Sequence, residues 1–158
     1  MPRFWKPLTA SRRTQLRLCR ILLNVMAMID KKKLVRAALK SQQAAVAPYS
    51  RFKVGAALLT RSGRIIGGAN VESASYGLTC CAERIALFKA LIDGAKDFVA
   101  IAIVARCDDG AMPCGACRQL LAEYAPRAKV FVADSATPGA IKEFSVSELL
   151  PGAFVLKP

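Results

Sequence analysis

Histidine is absent from all 158 residues, so any zinc site in this chain has to be built from cysteine alone or from cysteine with a carboxylate. Acidic residues are scarce, eleven against 24 lysines and arginines, and the net charge is +13. Aromatics make up only 7%, and no dense basic run interleaves with them, which argues against a groove built to track a nucleic-acid backbone. Long apolar runs are missing too. The stretch from Ile21 to Ile29 contains Asn24 and is too short to cross a bilayer. The six cysteines follow no secretory signal, so they do not read as a disulfide framework, and a reducing, cytoplasmic compartment suits them. Repeats, linkers and low-complexity segments are also lacking.

The length allows one domain with a single core, and an apolar fraction of 54% leaves a surplus that a subunit interface would explain. Charge divides unevenly. Arg3, Lys6, Arg12, Arg13, Arg17 and Arg20 place six positive charges and no negative one in residues 1–27, leaving +7 scattered over the rest. Residues 1–27 are therefore read as a basic N-terminal extension and residues 28–158 as the folded domain. A dispensable leader, an organelle-targeting peptide and an extra helix all fit that extension.

Along the chain, Leu34 to Ala47 is an alanine-rich amphipathic helix candidate stopped by Pro48, and Lys31-Lys32-Lys33 reads as its solvated opening. Val54–Thr60 and Arg64–Val71 flank Arg61-Ser62-Gly63 as a hairpin. A helix follows Cys81 and closes at Asp93-Gly94. Phe98–Ala105, nearly continuous in apolar residues, predicts a central buried strand. A second cysteine-led helix precedes Ala125-Pro126. Strands then follow at Lys129–Ala133 and Ile141–Val146, with a turn at Ser147–Leu150. The alternation implies a layered α/β domain with a mixed sheet of about five strands.

The chemistry concentrates in Cys81-Ala82-Glu83-Arg84 and Pro113-Cys114-Gly115-Ala116-Cys117-Arg118. A lone C-x-x-C suits a redox pair, a structural zinc knuckle or two buried cysteines. C-x-E followed by P-C-x-x-C is far more specific. Cys81, Cys114 and Cys117 can give zinc three thiolates and leave a fourth position open, with Glu83 placed as acid/base beside it. Cys107 and Cys80 are the residues able to close that position. Like Cys19, both read better as small hydrophobes. Each ligand motif opens an apolar-periodic segment, so both should sit in first helical turns, where free N–H groups favour thiolate. Arg84 is a candidate donor to a ligand sulfur; Arg118 is equally compatible with that role and with a solvated position.

These motifs resemble those of the cytidine deaminase family, in its small homotetrameric class with three cysteine ligands. Ala47–Leu58, Gly68–Tyr76 and Glu148–Phe154 resemble further blocks of that family in the same order, so the resemblance runs from about Met28 to Phe154. It implies a three-layer α/β/α fold, one Zn²⁺ per chain, a homotetramer with shared sites, and hydrolysis of cytidine and deoxycytidine to the uridines and ammonia. Asn70 and Glu72 would bind the ribose, the Ala82 N–H would reach the O2 carbonyl of the base, and Phe52 would pack on the nucleoside. Phe154 of a neighbouring subunit would cover the base, and Tyr76 would lie at the subunit boundary. Asn70 and Glu72, as alternate residues of a strand, should point to one face. Three rivals remain at this level: a deaminase acting on a cytosine-containing antibiotic, a nucleic-acid editing deaminase, and a zinc module without catalysis.

Overall fold

The computed structural model describes residues 29–154 and Leu156, so the extension expected over residues 1–27 lies outside the described residues. Helix α1 spans Lys31–Gln42. The Asp30 carboxylate starts it by accepting the Lys33 N–H at 2.8 Å, which satisfies one of the first-turn donors that a helix leaves free. The cap, rather than the apolar stripe that begins at Leu34, thus sets the start. The helix also ends before the expected Ala47. The Val46 N–H donates to Asn70 O and the Glu72 N–H donates to Val46 O, and these long-range bonds hold the segment before Pro48 out of helical geometry.

Strands β1 (Val54–Thr60) and β2 (Ile65–Ala69) form the expected hairpin. With β3 (Phe98–Ala105), β4 (Lys129–Asp134) and β5 (Lys142–Ser145) they complete a sheet of order β2-β1-β3-β4-β5. Only β3 and β4 run parallel; the other neighbours are antiparallel. β2 stops at Ala69 instead of Val71, because Val71 leaves the ladder to bridge Val46 and Cys80. Val146 opens a one-turn helix, α4 (Val146–Leu149), in place of the expected end of β5. Ser145 and Glu148 form a capping box there.

β3 is buried at all eight positions because helices cover both faces of the sheet. On one face α1 packs through Leu34, Val35 and Ala38 against Ala57, Ala100 and Ala102, small residues that let the helix approach closely. On the other, α2 (Ala82–Ile92), α3 (Gly115–Tyr124) and α4 pack against the larger Ile101, Ile103, Val130 and Val132. The result is the three-layer α/β/α arrangement. Burying side chains such as Leu87 and Leu121 contributes about 1.5–3 kcal/mol each, and both anchor the helices that carry the cysteines. Gly68 sets how close α2 lies to β2: a Cβ there would stand 2.3 Å from the Ala82 carbonyl oxygen and 2.5 Å from the Ala86 nitrogen.

Candidate metal centre and substrate cavity

Cys81 and Cys114 occupy the N-cap positions of α2 and α3, and Cys117 lies in the first turn of α3. The Sγ atoms of Cys81 and Cys114 are 3.8 Å apart, and all three sulfurs lie within 4.8 Å of one another. A tetrahedral zinc with bonds of about 2.3 Å needs sulfurs about 3.8 Å apart, so the set fits one zinc and leaves one corner free. Cys80 and Cys107 are outside this cluster, which removes both as closing ligands; Cys19 lies outside the described residues. Neither N-cap cysteine makes a side-chain capping bond, so the positive ends of both helices remain available to thiolate.

The metal-free thiols already share charge unequally. Cys81 is lowered to about 5, first by the hydrogen bond from Cys117 and then by Arg84 and Cys114, against the opposing effect of burial. The same bond raises Cys117, with burial adding to it. Arg84 Nη2 donates to Thr79 O at 2.6 Å and lies 3.7 Å from Cys81 Sγ. Its Nε is buried without a partner among the described residues. Arg118 turns to backbone instead, with Nε on Pro113 O at 2.8 Å and Nη1 on Leu149 O at 3.0 Å. It therefore braces the loop that delivers Cys114 without touching sulfur. Glu83 is only 6% exposed. Burial foremost raises its carboxyl above the usual range, and repulsion from Cys81 adds to the shift.

A cavity of about 230 Å³ opens on this cluster. Of the residues expected at the site, Phe52, Asn70, Cys81, Ala82, Glu83 and Cys114 line it together. Glu72 and Tyr76 line a neighbouring cavity of about 320 Å³ with Tyr49 and Ser50, and Thr79 borders both spaces. β2 ends before Asn70 and Glu72, which border two cavities that share Thr79. They flank Val71, which bridges Val46 and Cys80 beyond the end of β2. Asn70 is buried, its Oδ1 accepting the Val54 N–H at 2.8 Å and its Nδ2 donating to Phe52 O at 2.9 Å. Glu72 accepts the Tyr49 N–H at 3.0 Å, the Ser50 N–H at 3.2 Å and the Ser50 hydroxyl. Those bonds, the Ser50 hydroxyl first, hold its carboxyl below the ordinary value. Tyr76 is 84% and Phe154 67% exposed, and Phe154 is not among the residues lining either cavity of its own chain.

The family model for the "Cytidine and deoxycytidylate deaminase zinc-binding region" matches residues 28–133. The chain belongs to this deaminase family. A cytidine deaminase of Halalkalibacterium halodurans is 54% identical over 127 residues, covering 80% of this chain and 95% of that protein. A crystal structure of cytidine deaminase from Burkholderia pseudomallei superposes with a TM-score of 0.74 at 46% identity, covering 77% of this chain and 97% of that one. A blasticidin-S deaminase of Bacillus cereus is similar at a lower level, 34% identical over 110 residues, covering 65% of this chain and 76% of that protein.

Within this deaminase's cavity, sequence reasoning missed Thr79, Ala111 and Met112. The signal was adjacency. Thr79 lies two residues before Cys81, and Ala111-Met112 run directly into Pro113-Cys114, so a cavity opening on the ligands has to be walled by both approaches. No helix among the described residues is long and apolar enough to cross a membrane.

Proposed function

We propose that this protein hydrolyses cytidine and deoxycytidine to uridine and deoxyuridine, releasing ammonia, with one zinc per chain held by Cys81, Cys114 and Cys117. The observation that carries the reading is the sulfur triangle of tetrahedral spacing at two helix starts, with buried Glu83 beside it in the same cavity. Zinc in such a site supplies Lewis acidity that activates water as a nucleophile near neutral pH. Glu83 supplies the proton traffic. It takes a proton from the attacking water and delivers it to N3 of the pyrimidine, then takes the second proton from the new C4 hydroxyl and passes it to the departing amino group. A carboxyl raised by burial suits both accepting and returning a proton. Arg84 offsets thiolate charge at Cys81.

Around the base, the Ala82 N–H at the first turn of α2 binds the O2 carbonyl and Phe52 packs on the nucleoside. After its two backbone bonds Asn70 keeps one amide N–H for a ribose hydroxyl, and Glu72 keeps accepting capacity. The chain acts in a homotetramer with shared sites, in which Phe154 of a neighbouring subunit covers the base and Tyr76 borders the junction. The exposure of both rings supports that arrangement. Gln119 Nε2, donating to Phe154 O at 2.8 Å, fixes the backbone that presents the ring. Residues 28–158 form the deaminase domain and residues 1–27 a separate extension, a division supported by the family match beginning at residue 28. The role is pyrimidine salvage in the cytoplasm.

The test is loss of absorbance in the cytosine band on adding cytidine to purified protein, with Glu83→Ala and Cys114→Ala as controls. Turnover that vanishes in Glu83→Ala with zinc retained, and in Cys114→Ala with zinc lost, is the expected result. Zinc at one per chain without turnover of either nucleoside would shift the reading to the antibiotic or nucleic-acid substrate.

A further inference from the structure

We propose that Met112 selects the leaving amine, forming the wall of the cavity that limits substituents on the exocyclic nitrogen of the base. This rests on the cytidine reading above. Met112 lines the cavity together with Glu83, Cys81 and Cys114 and is 40% exposed. It lies two residues before Cys114, which keeps the two α-carbons within about 7.6 Å. The reacting carbon has to sit between Glu83 and the sulfur triangle, and the amino group is bonded to that carbon. Met112 shares that cavity with Glu83 and Cys114, whereas Glu72 borders the neighbouring one, which puts the methionine wall on the reacting side of the nucleoside.

The loop that carries Met112 is held at both ends, so its backbone has a defined place. Asp109 and Gly110 adopt left-handed backbone, φ 69° and 79°, and the Gly110 N–H closes the turn on Cys107 O at 2.8 Å. Gly110 presses on β4, where an added Cβ would lie 2.6 Å from Val132 Cγ1 and 2.9 Å from the Ala133 carbonyl carbon. Asp109 pairs with Lys142 Nζ at 2.7 Å, and Arg118 holds Pro113 from the other side. Methionine between two such anchors fills space with an unbranched, adaptable thioether and adds no competing polar group.

The probe is N4-methylcytidine, compared with cytidine. Its hydrolysis forms the C4–O bond and breaks the C4–N4 bond, giving uridine and methylamine. Glu83 carries one proton of the attacking water to N3, where it stays in uridine, and the second, released as the C4 hydroxyl becomes the carbonyl, to the departing amine, so no further reactant is needed. The readout is the ratio of kcat/KM for cytidine over N4-methylcytidine, with zinc per chain measured alongside. Met112→Ala should lower that ratio about tenfold, the scale set by one methylene in a close-fitting pocket, and Met112→Phe should raise it. A purely structural role would reduce both substrates equally and leave the ratio unmoved. An unchanged ratio in either folded, zinc-loaded variant, with the unsubstituted protein active on cytidine, overturns this proposal alone. Absence of cytidine turnover in the unsubstituted protein overturns the cytidine reading and this inference with it.

Discussion

The two ends of the nucleoside site are built in opposite ways. At the zinc end, Cys81, Cys117 and Glu83 stand on helices whose other faces are buried in the core, and Ala82 is fully enclosed. At the sugar end, Glu72 hangs from a loop and is held by the Ser50 hydroxyl and two backbone N–H groups, while Tyr76 and Phe154 project from the chain. The first end is complete within one chain. Rings as exposed as those at the second contact little of their own chain, which fits the proposed assembly of four subunits. In the proposed assembly, reactivity thus rests on core packing, and substrate enclosure rests on loops and association.

The sharpest way to break this division is Glu83→Ala. It should lower turnover by about 10⁴-fold, the upper range for a lost acid/base group, while zinc content and thermal midpoint stay as they were. A variant that kept near-normal turnover would remove the zinc end from the chemistry. Next in size is Gly68→Ala, which forces a Cβ against the Ala82 carbonyl oxygen and should lower unfolding free energy by about 1–3 kcal/mol. Chemical denaturation and chelator-driven zinc release, measured together, should both worsen if the ligand helix depends on the core. Denaturation alone worsening would separate the two.

The sugar end predicts a different pattern. Phe154→Ala should raise KM for cytidine about tenfold, the loss of a buried aromatic contact, with zinc per chain unchanged. Light scattering that found an active monomer would contradict the shared site. The smallest expected effect lies back among the thiols. In metal-free protein Cys81 should be alkylated by iodoacetamide with a midpoint near pH 5, because its thiolate is favoured above that pH. Arg84→Ala withdraws a group that favours the thiolate, so the midpoint should move upward. The move should be partial, since the hydrogen bond from Cys117 is the larger cause and remains.

Much of the zinc end was legible in the linear chain because its logic is local. Cysteine two residues before glutamate, and two cysteines three apart, become a site once each opens a helix, and the apolar period after them announces those helices. The central strand was equally plain, since burial on both faces leaves a continuous apolar run. Elements failed at their ends, where Asp30, Ser145 and the Val46–Val71 bridge acted through one or two hydrogen bonds each that no periodicity records.

By itself the sequence determined the ligand set, the layered class and the family resemblance and pointed to Glu83 as the proposed acid/base, all of which depend on residue identity at short spacing. Tertiary structure alone decided that Asn70 and Glu72 leave the strand for separate hydrogen-bond networks. It also kept Cys80 and Cys107 out of the sulfur cluster and turned Arg118 to backbone. These outcomes depend on side-chain direction and on where separate segments meet. Close packing of α2 on β2 and of the Gly110 turn on β4 sets the latter, because those contacts leave the ligand-bearing segments little other room.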